Sequence, residues 1–170
     1  NTRILILFVF TSVLLLPPCA QAQVHYKAKT ITARNGLSDN RVTCLHKDRK
    51  GFMWMGTKNG LNRYDGHSFR VFRPGPGNSI SNEVINDIAE DSRGRIWVAT
   101  MEGINIYEPG KDSWTYILPD PDSSALSIPN LIVWDIAIDK NDIAWSACDV
   151  FAFTAYDIKT GKFSFYDWTA

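Results

Sequence analysis

The sequence predicts an all-β fold, a β-propeller fragment of about three four-stranded blades plus one closing strand. Three observations carry that prediction. Asp48-Arg49-Lys50-Gly51-Phe52-Met53-Trp54-Met55-Gly56-Thr57 returns 43 residues on as Asp91-Ser92-Arg93-Gly94-Arg95-Ile96-Trp97-Val98-Ala99-Thr100. In the same way Gly60-Leu61-Asn62-Arg63-Tyr64 returns as Gly103-Ile104-Asn105-Ile106-Tyr107, and a weaker copy, Asp139-Lys140-Asn141-Asp142-Ile143-Ala144-Trp145, follows 48 residues later. A β-rich unit repeated every ~40–50 residues is the signature of one four-stranded blade per copy. Each copy also divides into four short apolar or alternating runs set apart by turn residues.

The elements follow in chain order. Arg3 precedes an apolar run from Ile4 to Leu16, and Ala20-Gln21-Ala22 closes it with a small-x-small site. Residues 1–22 are therefore expected to be a secretory signal peptide cleaved after Ala22. The apolar run is too short for a comfortable membrane span. A lipoprotein signal at Cys19 is the competing assignment, and Pro18 stands where such signals take a small residue. Residues 23–35 form the lead-in, with a closing strand over His25–Thr32. The first blade, 36–78, has strands at Val42–Lys47, Phe52–Gly56, Leu61–Tyr64 and Phe69–Phe72. The second, 79–126, has them at Ile85–Glu90, Ile96–Thr100, Ile104–Tyr107 and Trp114–Leu118. The third, 127–170, has them at Val133–Ile138, Ile143–Ala147, Phe153–Tyr156 and Phe163–Tyr166.

The turns have a mechanism. Asp48 and Gly51, like Asp91 and Gly94, take the first and last places of a type I turn. Gly60 and Gly103 supply the positive φ needed to leave the second strand tightly. The third copy has Asp142 and Phe151 at these glycine positions, which predicts a weaker turn there. Three blades do not close a ring of four to eight. Further propeller blades of the same polypeptide are therefore expected as partners, with assembly of several copies as the alternative.

Bulk chemistry excludes some functions. Eighteen basic and 18 acidic residues leave no electrostatic footprint for nucleic acid. Beyond the signal, Cys44 and Cys148 show no ligand spacing and read as buried thiols. His25, His46 and His67 are spaced by 21 residues, which is not the blade period, so no metal site is expected. Asp65, Asp87, Asp135 and Asp157 carry no spacing that places two of them together for acid–base work.

Repeated and unrepeated positions divide the remaining roles. Trp54, Trp97 and Trp145 recur at one strand position, so they are assigned to wedge packing between blades in preference to stacking on sugars. The same logic covers Tyr64, Tyr107 and Tyr156. Residues that vary at fixed loop positions are the binding candidates, because the scaffold does not require them. In a four-stranded meander the loops entering strand one and those joining strands two and three emerge on one face. That face carries Asn40, Arg41, Lys58, Asn59, Asn82, Glu83, Met101, Glu102, Asn130 and Asp149, side chains suited to sugar hydroxyls. Arg41 or Lys58 would suit an anionic glycan.

The run Gly36-Leu37-Ser38-Asp39-Asn40, then Asp48-x-x-Gly51, Trp54-x-Gly56-Thr57 and Gly60-Leu61-Asn62-Arg63-Tyr64-Asp65, resembles the two-component regulator propeller family. The match is complete in the first blade, strong in the second, and reduced in the third to Trp145, Tyr156-Asp157 and the strand rhythm. The resemblance implies the periplasmic sensor half of a membrane-bound hybrid histidine kinase that senses an oligosaccharide or polysaccharide fragment. It further implies a homodimeric parent anchored in the inner membrane, with no cofactor. No phospho-acceptor histidine context or Gly-rich ATP lid is present, so these 170 residues are expected to be non-catalytic. The alternatives are an exported propeller enzyme (lyase, glycosidase or quinoprotein) or a plain secreted carbohydrate-binding propeller. Asp157-Ile158-Lys159-Thr160-Gly161-Lys162 resembles a quinoprotein turn, though it occurs once.

Overall fold

The computed structural model describes residues 28–119, 128, 130–149 and 152–167. The chain divides into two units, Asn1–Thr30 and Ile31–Ala170. Of the first unit only residues 28–30 are described, and they carry no regular structure. The proposed signal peptide, Phe151 and residues 25–27 of the closing strand lie outside the described residues. In the second unit, Ile31 and Thr32 are not strand, and a 3-10 turn follows at Ala33–Asn35. The cause is local: the Asn35 and Asn40 side chains accept the N–H groups of Thr32 and Ala33, at 3.0 and 2.8 Å. Donors held by side chains in this way favour a turn over a ladder.

The described residues of this unit form three four-stranded antiparallel sheets, each a meander in chain order. The first comprises β1 (Val42–Lys47), β2 (Met53–Thr57), β3 (Gly60–Tyr64) and β4 (Phe69–Phe72). The second comprises β5 (Ile85–Glu90), β6 (Ile96–Thr100), β7 (Gly103–Glu108) and β8 (Ser113–Ile117). The third comprises β9 (Val133–Ile138), β10 (Ile143–Cys148), β11 (Ala152–Asp157) and β12 (Lys162–Asp167). Successive sheets meet along their first strands, β1 against β5 and β5 against β9.

The first hairpin of each blade explains the Asp-x-x-Gly-x-x-Trp repeat. One oxygen of Asp48 accepts the N–H groups of Lys50 and Phe52, and the other accepts the Trp54 indole N–H at 2.8 Å. Asp91 binds Arg93, Arg95 and Trp97 in the same way, and Asp139 binds Asn141, Ile143 and Trp145. A single buried carboxylate thus shapes the turn and aims the tryptophan. The third copy keeps the turn that its missing glycine put in question: Asp142 itself adopts φ 66°. Asp tolerates the left-handed region better than most side chains, and here its carboxylate accepts both the Ser92 N–H and its hydroxyl from the second blade.

Every first strand carries a bulge at the same place. Val42 and Cys44 oppose consecutive residues of β2, as Ile85 and Asp87 do on β6 and Val133 and Asp135 on β10. Thr43, Asn86 and Trp134 are the extra residues. A bulged residue leaves the ladder and re-aims its side chain. The Thr43 hydroxyl donates to the Ile85 carbonyl at 2.7 Å, and the Asn86 amide donates to the Val133 carbonyl at 2.8 Å. The first two bulges therefore pin their blades to the first strand of the next.

Apolar packing follows the seams. One core joins Trp54, Leu61 and Phe72 to Ile85, Ile88, Ile96, Val98 and Tyr107; the other joins Trp97, Ala99 and Ile104 to Val133, Ile136 and Ala144. Alternate residues of β6 serve opposite cores, so that strand is buried on both faces. Trp54 packs on Tyr107 at 5.7 Å between ring centroids, and Trp97 on Tyr156 at 5.8 Å. Both tryptophans have 0% exposure, as wedge packing requires, whereas Trp145 is 39% exposed. It shares an open face with Phe153 and Tyr166 and packs on the Tyr166 ring at 5.7 Å between centroids.

Candidate functional site

The candidate face is built from two kinds of loop stitched together across the seams. In the first blade Lys58 and Asn59 are the two central residues of the β2–β3 hairpin. Its closing Thr57 accepts the Asn59 N–H and donates to the Gly60 carbonyl. Thr100 does the same for Met101 and Glu102 in the second blade. Gly60 (φ 121°) then donates its N–H to the Glu83 carbonyl at 2.7 Å, and Gly103 (φ 82°) donates to the Leu131 carbonyl at 2.6 Å. The glycine after each hairpin thus fixes the hairpin against the loop that enters the next blade.

Beneath the face lies a polar layer that the repeat also encodes. Buried Asn62 accepts the Ser38 N–H and donates to the Ser38 hydroxyl, which in turn meets Thr57 at 2.8 Å. Asn105, Ser81 and Thr100 repeat the arrangement. The Gly-Leu-Ser opening and the Asn of Gly-Leu-Asn are therefore scaffold: buried polar groups that satisfy one another.

Several candidates are occupied by that scaffold. Asn82 and Asn130 accept the N–H two residues on, as Asp39 does for Arg41, so these three hold the loops entering the blades. Asn40 caps Ala33, Arg41 pairs with Asp39 at 3.3 Å, and the Asn59 amide reaches the Ser38 carbonyl at 3.4 Å. The Arg41 guanidinium holds the Asp39 carboxyl below its ordinary value. Met101 contacts the Asn86 amide through sulfur. Among the described residues, the side chains of Lys58, Glu83, Glu102 and Asp149 make no hydrogen bond or ion pair. These four are the charged groups the face leaves available. Lys58, Met101 and Asp149 occupy equivalent hairpin positions, so charge at one place changes from blade to blade.

Other residues settle into structure. Asp65 accepts the N–H groups of Ser68 and His67 and the Ser68 hydroxyl, bonds that hold its carboxyl down to about 2. Asp157 caps Lys159 and Thr160, which accounts for the quinoprotein-like turn as an ordinary β11–β12 hairpin. Cys44 and Cys148 are free thiols. Asp87 accepts the Ile136 N–H across the second seam at 3.1 Å, and burial raises its carboxyl to about 6.

Fold and face together define a run of propeller blades with a constant scaffold and a variable loop face. The model of the family described as two component regulator propeller matches residues 36–59 and 79–102, the two stretches that build this face in the first two blades. A histidine kinase, P4, of Formosa agariphila is 39% identical over 57 residues, 34% of this chain and 4% of that protein. The extracellular domain assigned to the hybrid two component system BT3049 of B. thetaiotaomicron superposes with a TM-score of 0.76 at 26% identity, covering 82% of this chain and 20% of that one. That of the one component system BT4673 superposes with a TM-score of 0.62 at 24% identity, covering 78% and 19%, a likeness of fold. The first two blades of the chain thus match the two component regulator propeller model, and the chain spans about a fifth of the length of these solved domains.

Proposed function

We propose that these blades are part of an extracytoplasmic ligand-sensing propeller of a membrane-bound hybrid histidine kinase, and that the ligand is an oligosaccharide. The supporting observation is the loop face. Its scaffold positions repeat from blade to blade, while Lys58, Glu83, Glu102 and Asp149 do not and have no partner among the described residues. Unpaired polar groups held on a rigid scaffold suit a ligand rich in hydroxyls. Export through residues 1–22 would place the face outside the cytoplasm, with the parent anchored in the inner membrane. Further blades of the same polypeptide would cover the open face of the third blade. Binding would act by favouring one of two arrangements of a homodimeric parent, to the extent that the glycan prefers it.

Calorimetric titration of the intact exported region with a panel of neutral and uronic oligosaccharides tests this. Lys58→Ala together with Glu83→Ala is expected to weaken the binding oligosaccharide at least about tenfold, the size of one or two lost charge-assisted hydrogen bonds. Unchanged affinity in that variant would move the site off this face. Absence of binding across the panel would remove the glycan class.

A further inference from the structure

Asn86 is the bulge residue of β5, and its side chain has two partners. The amide donates to the Val133 carbonyl at 2.8 Å and to the Met101 sulfur at 3.6 Å. A carbonyl and a thioether only accept, so both contacts fall to the NH2 end, which has one proton for each. Val133 opens β9 of the third blade and is fully buried. Met101 is half-buried at the tip of the β6–β7 hairpin, on the loop face. One amide thus joins the loop face to the first strand of the next blade. We propose that Asn86 couples the Met101 hairpin to the seam between the second and third blades, so that moving the Met101 side chain off the amide loosens that seam and leaves the seam before it unchanged.

The other blades show that the repeat does not require this link. Thr43 takes the bulge of the first blade, and Lys58 takes the hairpin position of Met101. A hydroxyl has one proton to give. That of Thr43 reaches the Ile85 carbonyl at 2.7 Å, and its longer contact, at 3.8 Å, is the Cys44 sulfur of its own strand. The first bulge therefore ties the seam without touching the hairpin above it. In the third blade an exposed Trp134 and Asp149 hold the two positions. Asn in place of Thr supplies the second proton, and Met in place of Lys supplies a soft acceptor within its reach.

The backbone of the hairpin is fixed apart from this contact. Met101 donates its N–H to the Val84 carbonyl at 3.4 Å, and Gly103 donates to the Leu131 carbonyl at 2.6 Å. What a contact at the face can move is therefore the Met101 side chain, an unbranched and flexible thioether. Two partners hold the Asn86 side chain in one rotamer. With the sulfur gone it regains rotational freedom, and the bond to Val133 alone has to offset that entropy. A buried carbonyl without its donor is costly, so the weakening is felt as opening of the seam. Coupling needs a contiguous set of contacts with two arrangements, here the sulfur on the amide and the sulfur off it. Selection between them by a ligand on the loop face rests on the sensing function proposed above, whereas the link itself does not.

A double-mutant cycle in the intact polypeptide tests the link. Met101→Leu keeps the volume and removes the acceptor. Asn86→Thr installs the residue of the first blade, which keeps a donor for the Val133 carbonyl and has no second proton. Amide exchange is read at Ile136, whose N–H crosses the second seam to Asp87, and at Gly60, whose N–H crosses the first seam to the Glu83 carbonyl. Met101→Leu is expected to raise opening at Ile136 about threefold, the size of one weak hydrogen bond, and to leave Gly60 as it was. In the Asn86→Thr background the same change should have no effect. An equal rise in both backgrounds, an equal rise at Gly60, or no rise at Ile136 overturns the coupling. If Asn86→Thr does not fold, the Asn86 side-chain amide resonances decide in its place: both should shift in Met101→Leu, and unmoved resonances overturn the link. A failed glycan screen leaves this result untouched, because no ligand enters it.

Discussion

Asp91 shows what one repeated residue carries. At 1% exposure it accepts the N–H groups of Arg93 and Arg95, the Trp97 indole and the Arg95 guanidinium at 2.6 Å. Asp91→Ala would strand a buried indole N–H and two turn amides, a loss of about 3–5 kcal/mol, as when one partner of a buried charged network is removed. Asp91→Asn keeps the acceptor but not the charge and should fall between. Urea unfolding of the three proteins checks the order. Gly56 illustrates the opposite constraint, that of a missing atom: a Cβ there would meet the Cys44 sulfur at 2.4 Å and Ile85 at 2.7 Å.

At the scale of the element, the bulge matters more than the strand that contains it. An uninterrupted first strand would satisfy its own ladder and leave the neighbouring blade unattached. The extra residue frees a donor, which Thr43 and Asn86 carry to the next blade. Asn86→Ala is expected to cost about 1–2 kcal/mol, the range for a buried carbonyl left without its donor. Amide exchange should show the loss concentrated in β9, with β1 to β4 protected as before. The first hairpin of each blade acts in a second set of ties: the Arg49 guanidinium donates to the Ser92 and Asp91 carbonyls and pairs with Glu90. Blades in this chain are thus held by polar ties at both ends of the seam with an apolar core between them.

At the scale of the molecule, stability is a sum over seams, as in other repeat architectures where each unit contacts only its neighbours. A blade is fully buried only with a neighbour on either side, and β6 of the second blade has both. The third blade exposes Trp145, Phe153 and Tyr166 on one face, where a hollow of about 150 Å³ beside Asp135 and Trp145 opens. A patch of that kind marks an interaction surface. The 170-residue chain made by itself is therefore expected to self-associate at micromolar concentration. Light scattering of Trp145→Ser with Phe153→Ser should show less association, and an unchanged mass would place the contact elsewhere.

The sequence by itself determined the strands, the turns and the repeat, because hairpin geometry depends on residues close in the chain. β1, β4, β5, β6 and β9 begin and end where the alternation and the Asp-Gly punctuation put them. It also separated Trp54 and Trp97, as packing residues, from the loop residues beside them. Period-two alternation carries no signal for the bulges, since Thr43, Asn86 and Trp134 share no chemistry that marks an extra residue. For the same reason the seam ties were hidden, and so was the bond by which Asp87 accepts the Ile136 N–H from the next blade. The occupied state of Asn82, Asn130 and Arg41 was equally invisible, since each is spent on a backbone or side-chain partner that only the folded loop brings near. Tertiary structure decided these matters because a side chain's partner across a seam depends on how two sheets twist past each other, and no local run of residues encodes that twist.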